Sequence, residues 1–146
     1  MSRIIRGSGL VLLAALLLAA CGSDGVGGAQ GANAAAADEI CEIAQDKVGR
    51  VLGDDPEADR DAIREATEQL MALDAPSQNR NTFELFVQNT NNLWIALEDV
   101  HQSLLVNDTA RADRARETVA SNNELVMRYA GQYQANECAR GFGRPA

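Results

Sequence analysis

The stretch FELFVQNTNNLWIALEDVHQSL, residues 83–104, decides the fold of this chain. Its apolar residues recur every three or four positions, the spacing that places side chains on one face of a helix. The seam lasts three heptad repeats and consists of Phe83, Phe86, Thr90, Leu93, Leu97, Val100 and Leu104. Seams of this kind pack at shallow angles in helical bundles. We therefore predict one long helix here, with partner helices on either side in the sequence.

Three further helices follow from the same spacing, over residues 38–52, 56–74 and 109–136. Asp55 and Pro56 mark the start of the helix over residues 56–74, because aspartate caps free backbone N–H groups and proline suits the first helical position. The connections between the four helices are short, so helices that follow one another should be antiparallel neighbours. The predicted fold is all-α, an up-down-up-down four-helix bundle over residues 38–138, with residues 139–146 as a tail.

The beginning of the chain has a different composition. Two arginines precede an apolar run of eleven residues, 10–20, and the run ends in small residues before a cysteine, as Leu18-Ala19-Ala20-Cys21. The arrangement resembles the signal peptide and lipobox of bacterial lipoproteins. A bias to arginine, twelve against a single lysine, is also similar to that of small actinobacterial lipoproteins. A retained transmembrane helix is the weaker alternative, because such a helix needs about 20 residues. A second alternative is a signal peptide that is cleaved while Cys21 carries no lipid.

The resemblance implies that residues 1–20 are removed and that the thiol of Cys21 carries lipid. The chain would then be attached to the cell membrane at its extracytoplasmic face, or to the outer membrane of a Gram-negative cell. Residues 21–37 are rich in glycine and alanine, and we expect them to form a lipidated, flexible linker.

The same resemblance bears on the other two cysteines. With Cys21 lipidated, Cys41 and Cys138 remain as an even number in an oxidising compartment, where we expect a disulfide. The predicted bundle topology independently places both cysteines at the same end of the bundle. Two free buried thiols are the alternative; a metal site lacks further ligands nearby, since His101 is distant in sequence.

Charge and motifs restrict the function. The formal net charge of −8 makes nucleic acid a poor partner. The sequence offers no nucleophile with a base, no metal quartet and no phosphate loop, so we predict neither an enzyme nor a bound cofactor. The expected function is a non-catalytic interaction module, with a protein of the cell envelope as its partner.

The predicted helix lengths suggest where such a partner binds. The second hairpin should extend beyond the first by roughly 15 Å, at 1.5 Å per residue. The residues expected to become exposed there, as a possible partner-binding site, are Val100, Leu104, Leu105 and Val106. Equal helix lengths, which would cover these residues, are the alternative.

A second candidate lies on the seam itself. Thr90 and Asn122 fall at nearly the same height above the turn near residue 107, so we predict a polar layer across the core. Such a layer can fix the register of a bundle. Its functional interpretation is a pocket for a small molecule or lipid, which would make the chain a carrier in the cell envelope.

Overall fold

The computed structural model describes residues 27–143, and all the regular secondary structure within that range is helical. Four helices follow one another: α1 Gly27–Lys47, α2 Pro56–Met71, α3 Arg80–Leu105 and α4 Thr109–Tyr133. A short 3₁₀ helix, Cys138–Arg140, comes after α4. The predicted all-α bundle is confirmed, and Cys41 and Cys138 form the predicted disulfide, with their Cα atoms 5.1 Å apart.

Contacts between successive helices establish the up-down-up-down order. Asn33, near the start of α1, binds the carbonyl oxygen of Asp74 after the end of α2, and Lys47, at the end of α1, binds Glu65 within α2. Helices α1 and α2 therefore run in opposite directions. Farther along, Arg60 of α2 binds Glu98 of α3, and Asn122 of α4 binds the carbonyl oxygen of Asn92 on α3. Each helix is therefore antiparallel to the one before it.

The core lies between α2, α3 and α4. The seam of α3 is buried as predicted, except for Leu104, which is 37% exposed. The large side chains that are fully inaccessible include Ile63, Leu70, Phe86, Leu93, Leu97, Val100, Val126 and Tyr133. Helix α1 adds only small apolar side chains to this core, namely Ala34, Ala37, Cys41 and Ala44.

Helix α1 begins eleven residues earlier than the sequence predicted. Part of the expected flexible linker, residues 27–37, is helical, and the helix ends at Lys47 rather than at residue 52. Alanine has the highest helix propensity, and Ala34 and Ala37 gain further from burial against the core. The remainder of the expected linker, including Cys21, lies outside the described residues.

The loop between α1 and α2 is held by one buried carboxylate. Asp59, on the first turn of α2, accepts hydrogen bonds from the backbone N–H groups of Gly49 at 2.7 Å and Gly53 at 2.6 Å. Gly53 adopts a φ of 93°, which glycine tolerates without strain. Asp59 is fully buried, and both of its oxygens have a partner. The loop is therefore fixed across the end of the first hairpin.

The chain reverses after α4 and returns along it. Gln134 takes a left-handed conformation, with φ 71°, and the N–H of Ala135 bonds to the carbonyl of Ala130 at 2.9 Å. This is the pattern of a Schellman C-cap. Residues 137–143, here named the C-terminal strap, then run between α4 and α1.

Polar side chains of both flanking helices hold the C-terminal strap. On α1, Asp38 accepts the N–H of Glu137 at 2.7 Å, and Gln45 donates to the carbonyl oxygens of Glu137 and Gly141 at 2.8 and 3.0 Å. On α4, the Asn123 side chain bonds to the N–H of Phe142 at 2.9 Å and to its carbonyl at 3.1 Å.

The C-terminal strap therefore differs from the tail that the sequence predicted for residues 139–146. Phe142 is fully buried and belongs to the same apolar cluster as Val126 and Tyr133. The disulfide at Cys138 brings this segment against the bundle, which explains why an apolar side chain near the C-terminus finds a buried position. Residues 144–146 lie outside the described range.

Candidate functional site at the distal tip

The turn that connects α3 and α4 is exposed at one end of the bundle. Asn107 adopts a left-handed conformation, with φ 58°; its N–H bonds to Leu104 at 3.1 Å and that of Asp108 to Ser103 at 2.9 Å. These two bonds form a Schellman motif. The Asp108 carboxylate then caps α4 by accepting the N–H of Arg111 at 2.9 Å. The backbone of the turn is thus satisfied locally and tightly held.

The apolar side chains at this turn are exposed. Leu104, Leu105 and Val106, here named the tip, are 37%, 63% and 69% exposed. A Schellman motif is often completed by an apolar contact between the residues that here are Ser103 and Asp108, neither of which is apolar. The turn therefore does not require the apolar character of the tip.

Val100 does not share this exposure. It was predicted to lie with the tip but is fully buried. The Arg60–Glu98 contact at 3.1 Å places the second turn of α2 beside residue 98 of α3. Seven residues of α3, 99–105, follow this contact, and α2 itself continues past it for four residues, so α3 extends beyond α2 by less than about 10 Å at 1.5 Å per residue. The extension is shorter than the 15 Å expected, so that Val100 remains covered.

The extending part of the hairpin is braced by polar contacts. Arg111 of α4 forms an ion pair with Asp99 of α3, and the Ser103 hydroxyl donates to the carbonyl of Asp99 at 2.6 Å. The ion pair is exposed and contributes little free energy by itself, but it joins the two helices near the tip. A surface held in this way loses little conformational freedom on binding, which favours recognition.

The predicted polar layer of Thr90 and Asn122 has different hydrogen bonds from those expected. Thr90 is fully buried, and its hydroxyl donates to the carbonyl of Phe86 on its own helix at 3.0 Å. Asn122 crosses to α3 and donates to the carbonyl of Asn92 at 3.2 Å. Threonine in a helix readily bonds four residues back, so it needs no partner across the core. Among the described residues, Thr90 and Asn122 form no hydrogen bond with each other.

Two of the open grooves on the described residues lie between neighbouring helices, where a ligand could bind. One lies between α2 and α3, has a volume of about 420 Å³ and is lined by apolar side chains, among them Met71, Leu73, Phe83 and Val87. The other lies between α3 and α4, has a volume of about 670 Å³ and is mostly lined by polar side chains. Of the predicted layer, Asn122 lines the groove between α3 and α4, whereas Thr90 lines neither groove.

Residues 27–143 contain no group of three or more His, Cys, Asp or Glu side chains placed to hold a metal ion. His101 is half-buried on α3. Over the same range, no helix combines the length and the apolar character that crossing a membrane requires.

Sequence reasoning overlooked the polar residues that hold loops. The patterns used to predict the fold assigned no role to Asp59, Gln45 or Asn123. Each of these side chains binds backbone groups that are brought close only by the folded chain. The sequence carries no local signal for such contacts.

Comparison of the chain with models of protein families, with curated proteins and with solved structures found no match.

Proposed function

We propose that this chain is a lipid-anchored protein of the extracytoplasmic membrane face and that its tip binds a protein partner. The observation that carries the proposal is the exposure of three consecutive apolar side chains, Leu104, Leu105 and Val106, on a braced turn that does not need them. Exposed apolar patches of this kind often mark interaction sites. The proposed role is binding rather than catalysis.

The position of the tip agrees with an anchor at Cys21. Gln30, on the first turn of α1, binds the carbonyl of Tyr133 and the side chain of Asn79. The start of α1 therefore lies at the end of the bundle where α3 begins. Helix α3 has 26 residues, so the tip lies about 40 Å from that end. A lipid at Cys21 would leave the tip facing away from the membrane.

A protein partner fits the tip better than a small ligand does. The three side chains are exposed at the end of a hairpin and line neither of the two grooves described above, whereas small-molecule sites are concave. The expected complement is an apolar pocket on the partner. The few residues of the tip would act as an anchor in that pocket, as interface hot spots do.

Crosslinking in the source cells followed by affinity capture tests the proposal. The variant Leu105→Asp with Val106→Asp should abolish the capture of a specific envelope protein, because charged side chains cannot enter an apolar pocket. Leu85→Asp is the matched control, because Leu85 is 39% exposed near the other end of α3 and lines neither groove. A partner lost equally in both variants, or retained in both, would contradict the role of the tip.

The anchor has its own test. Mass spectrometry of the mature protein should find residues 1–20 absent and an acyl-modified Cys21, and Cys21→Ala should release the protein from membranes. A mature chain that begins elsewhere or carries no lipid would refute the anchor without affecting the tip.

A carrier role is the second candidate, and the apolar groove between α2 and α3 favours it. Its lining of Met71, Leu73, Phe83 and Val87 would suit an apolar small molecule or a single acyl chain. Native mass spectrometry of the purified protein should then detect a bound molecule, and Val87→Trp should displace it by filling the groove. A protein that is free of ligand after gentle purification would speak against this role.

A further inference from the structure

Helix α1 is joined to the rest of the molecule differently from the other helices. Its buried apolar side chains are three alanines and Cys41, with Ile40 and Val48 partly buried at its edge. An alanine side chain adds one carbon atom to a core, whereas α2 contributes Ile63 and Leu70 in full. The disulfide bond of Cys41 is therefore the strongest connection between α1 and the rest of the molecule.

Several other contacts of α1 are hydrogen bonds that water can replace. Asn33 binds the carbonyl of Asp74 and the hydroxyl of Tyr133, at 2.9 and 2.8 Å. Asp38 and Gln45 bind the backbone of the C-terminal strap. These groups are exposed or partly buried, so that solvent can satisfy them after separation. Gln30, by contrast, donates to the carbonyl of Tyr133 in a buried position.

The other three helices share a core of large side chains. Ile63 and Leu70 of α2, Phe86 and Leu93 of α3, and Val126 of α4 are all fully buried in one cluster. Large side chains from all three helices supply most of this cluster's apolar surface. The helices α2 to α4 therefore keep an apolar core if α1 moves away.

We propose that the Cys41–Cys138 disulfide is a redox-controlled clasp: its reduction releases α1 from a core of α2, α3 and α4 that remains folded. In the oxidised state the disulfide holds α1 and the C-terminal strap together. In the reduced state the alanine contacts, the partly buried Ile40, the Lys47–Glu65 ion pair and the hydrogen bonds of α1 still oppose separation, but no covalent bond does. Release uncovers Tyr133 and Cys138, which α1 contacts in the closed form.

The chemistry is an exchange with a dithiol, for which dithiothreitol serves as the probe. One of its thiolates attacks a sulfur of the disulfide and frees one cysteine thiolate, leaving a mixed disulfide. Its second sulfur then attacks the mixed disulfide, and dithiothreitol leaves as the cyclic disulfide. Two electrons and two protons pass to Cys41 and Cys138. Both are fully buried, so the attack requires prior movement of the C-terminal strap or α1.

Release would also change the reach of the tip. Helix α1 lies between the predicted lipid anchor and the rest of the chain, so its detachment would lengthen the tether. This consequence rests on the proposed function, whereas the release itself does not.

Hydrogen exchange measured by mass spectrometry on the purified full-length protein, without membrane or partner, tests the release. After reduction, with alkylation of both Cys41 and Cys138 verified, hydrogen exchange should accelerate in residues 27–47 by a factor at least about ten times larger than in residues 86–100. The variant Cys41→Ala with Cys138→Ala should behave likewise without reductant. Leu93→Ala, with the disulfide intact, is the control: it should lower protection in both regions together.

Three results would overturn the proposal. They are an equal loss of protection in both regions after reduction, full protection of residues 27–47 in the reduced protein, and a failure of dithiothreitol to reduce the native disulfide. Each is independent of the anchor and of the tip's partner.

Discussion

Replacement of Phe142 by alanine should destabilise the protein strongly, although the residue lies four positions from the end of the sequence. Its side chain is fully buried between α4 and the loop after α1, and its backbone is bound twice by Asn123. Truncation of a buried phenylalanine to alanine costs about 3–5 kcal/mol. The C-terminal strap can partly collapse into the space, so we expect about 3 kcal/mol, the lower end of that range.

Urea denaturation followed by the fluorescence of Trp94, the single tryptophan, measures this cost. A loss of 3 kcal/mol corresponds to a decrease in Tm of about 12 °C or more for a domain of this size. Arg140→Ala is the matched control on the same strap, since that side chain is 71% exposed and pairs only with Glu137. It should change the free energy of unfolding by less than about 0.5 kcal/mol. A cost below about 1 kcal/mol for Phe142→Ala would refute a packed strap.

Three further predictions concern stability. Asp59→Ala should lower the free energy of unfolding by about 2–4 kcal/mol, because the N–H groups of Gly49 and Gly53 lose a charged acceptor; a cost below about 1 kcal/mol in urea denaturation would contradict this. Burial raises the pKa of Tyr133, so stability that is complete below about pH 10 should decline as the pH rises further. Tyr133→Phe should reduce that decline, and unchanged slopes in stability against pH would exclude the explanation. The indole N–H of Trp94 is buried and has no acceptor among the described residues, so Trp94→Phe should cost less than about 1.5 kcal/mol in thermal unfolding followed by circular dichroism; a cost above 3 kcal/mol would reveal a missing partner.

The sequence predicted those parts of the fold that depend on periodicity and on pairing of cysteines. The seam of α3 is a local pattern, and six of its seven residues are buried. The pairing of Cys41 with Cys138 followed from the resemblance to lipoproteins, which sets Cys21 aside, and from the bundle topology. Exposure of the tip followed from unequal helix lengths, and only Val100 was assigned to the wrong side of the boundary.

Other features depend on contacts between distant residues, which a sequence does not reveal. The glycines among residues 27–31 suggested a linker, yet the alanines that follow are buried and support a helix from Gly27 onward. Phe142 is flanked by glycines and looks like part of a tail. Its burial depends on Asn123, which is 19 residues away, and on the disulfide at Cys138. Thr90 bonds within its own helix, a choice that spacing alone does not determine.

Site-specific photocrosslinking in the source cells tests the central claim, that the tip is the partner-binding surface, most directly. A photoreactive amino acid would replace Leu105 or Val106 at the tip, and Met71 or Ile95, which are also exposed, as references. The account predicts one adduct of defined mass from both tip positions and none from the references. Adducts that are equal at all four positions, or found only at the references, would contradict it.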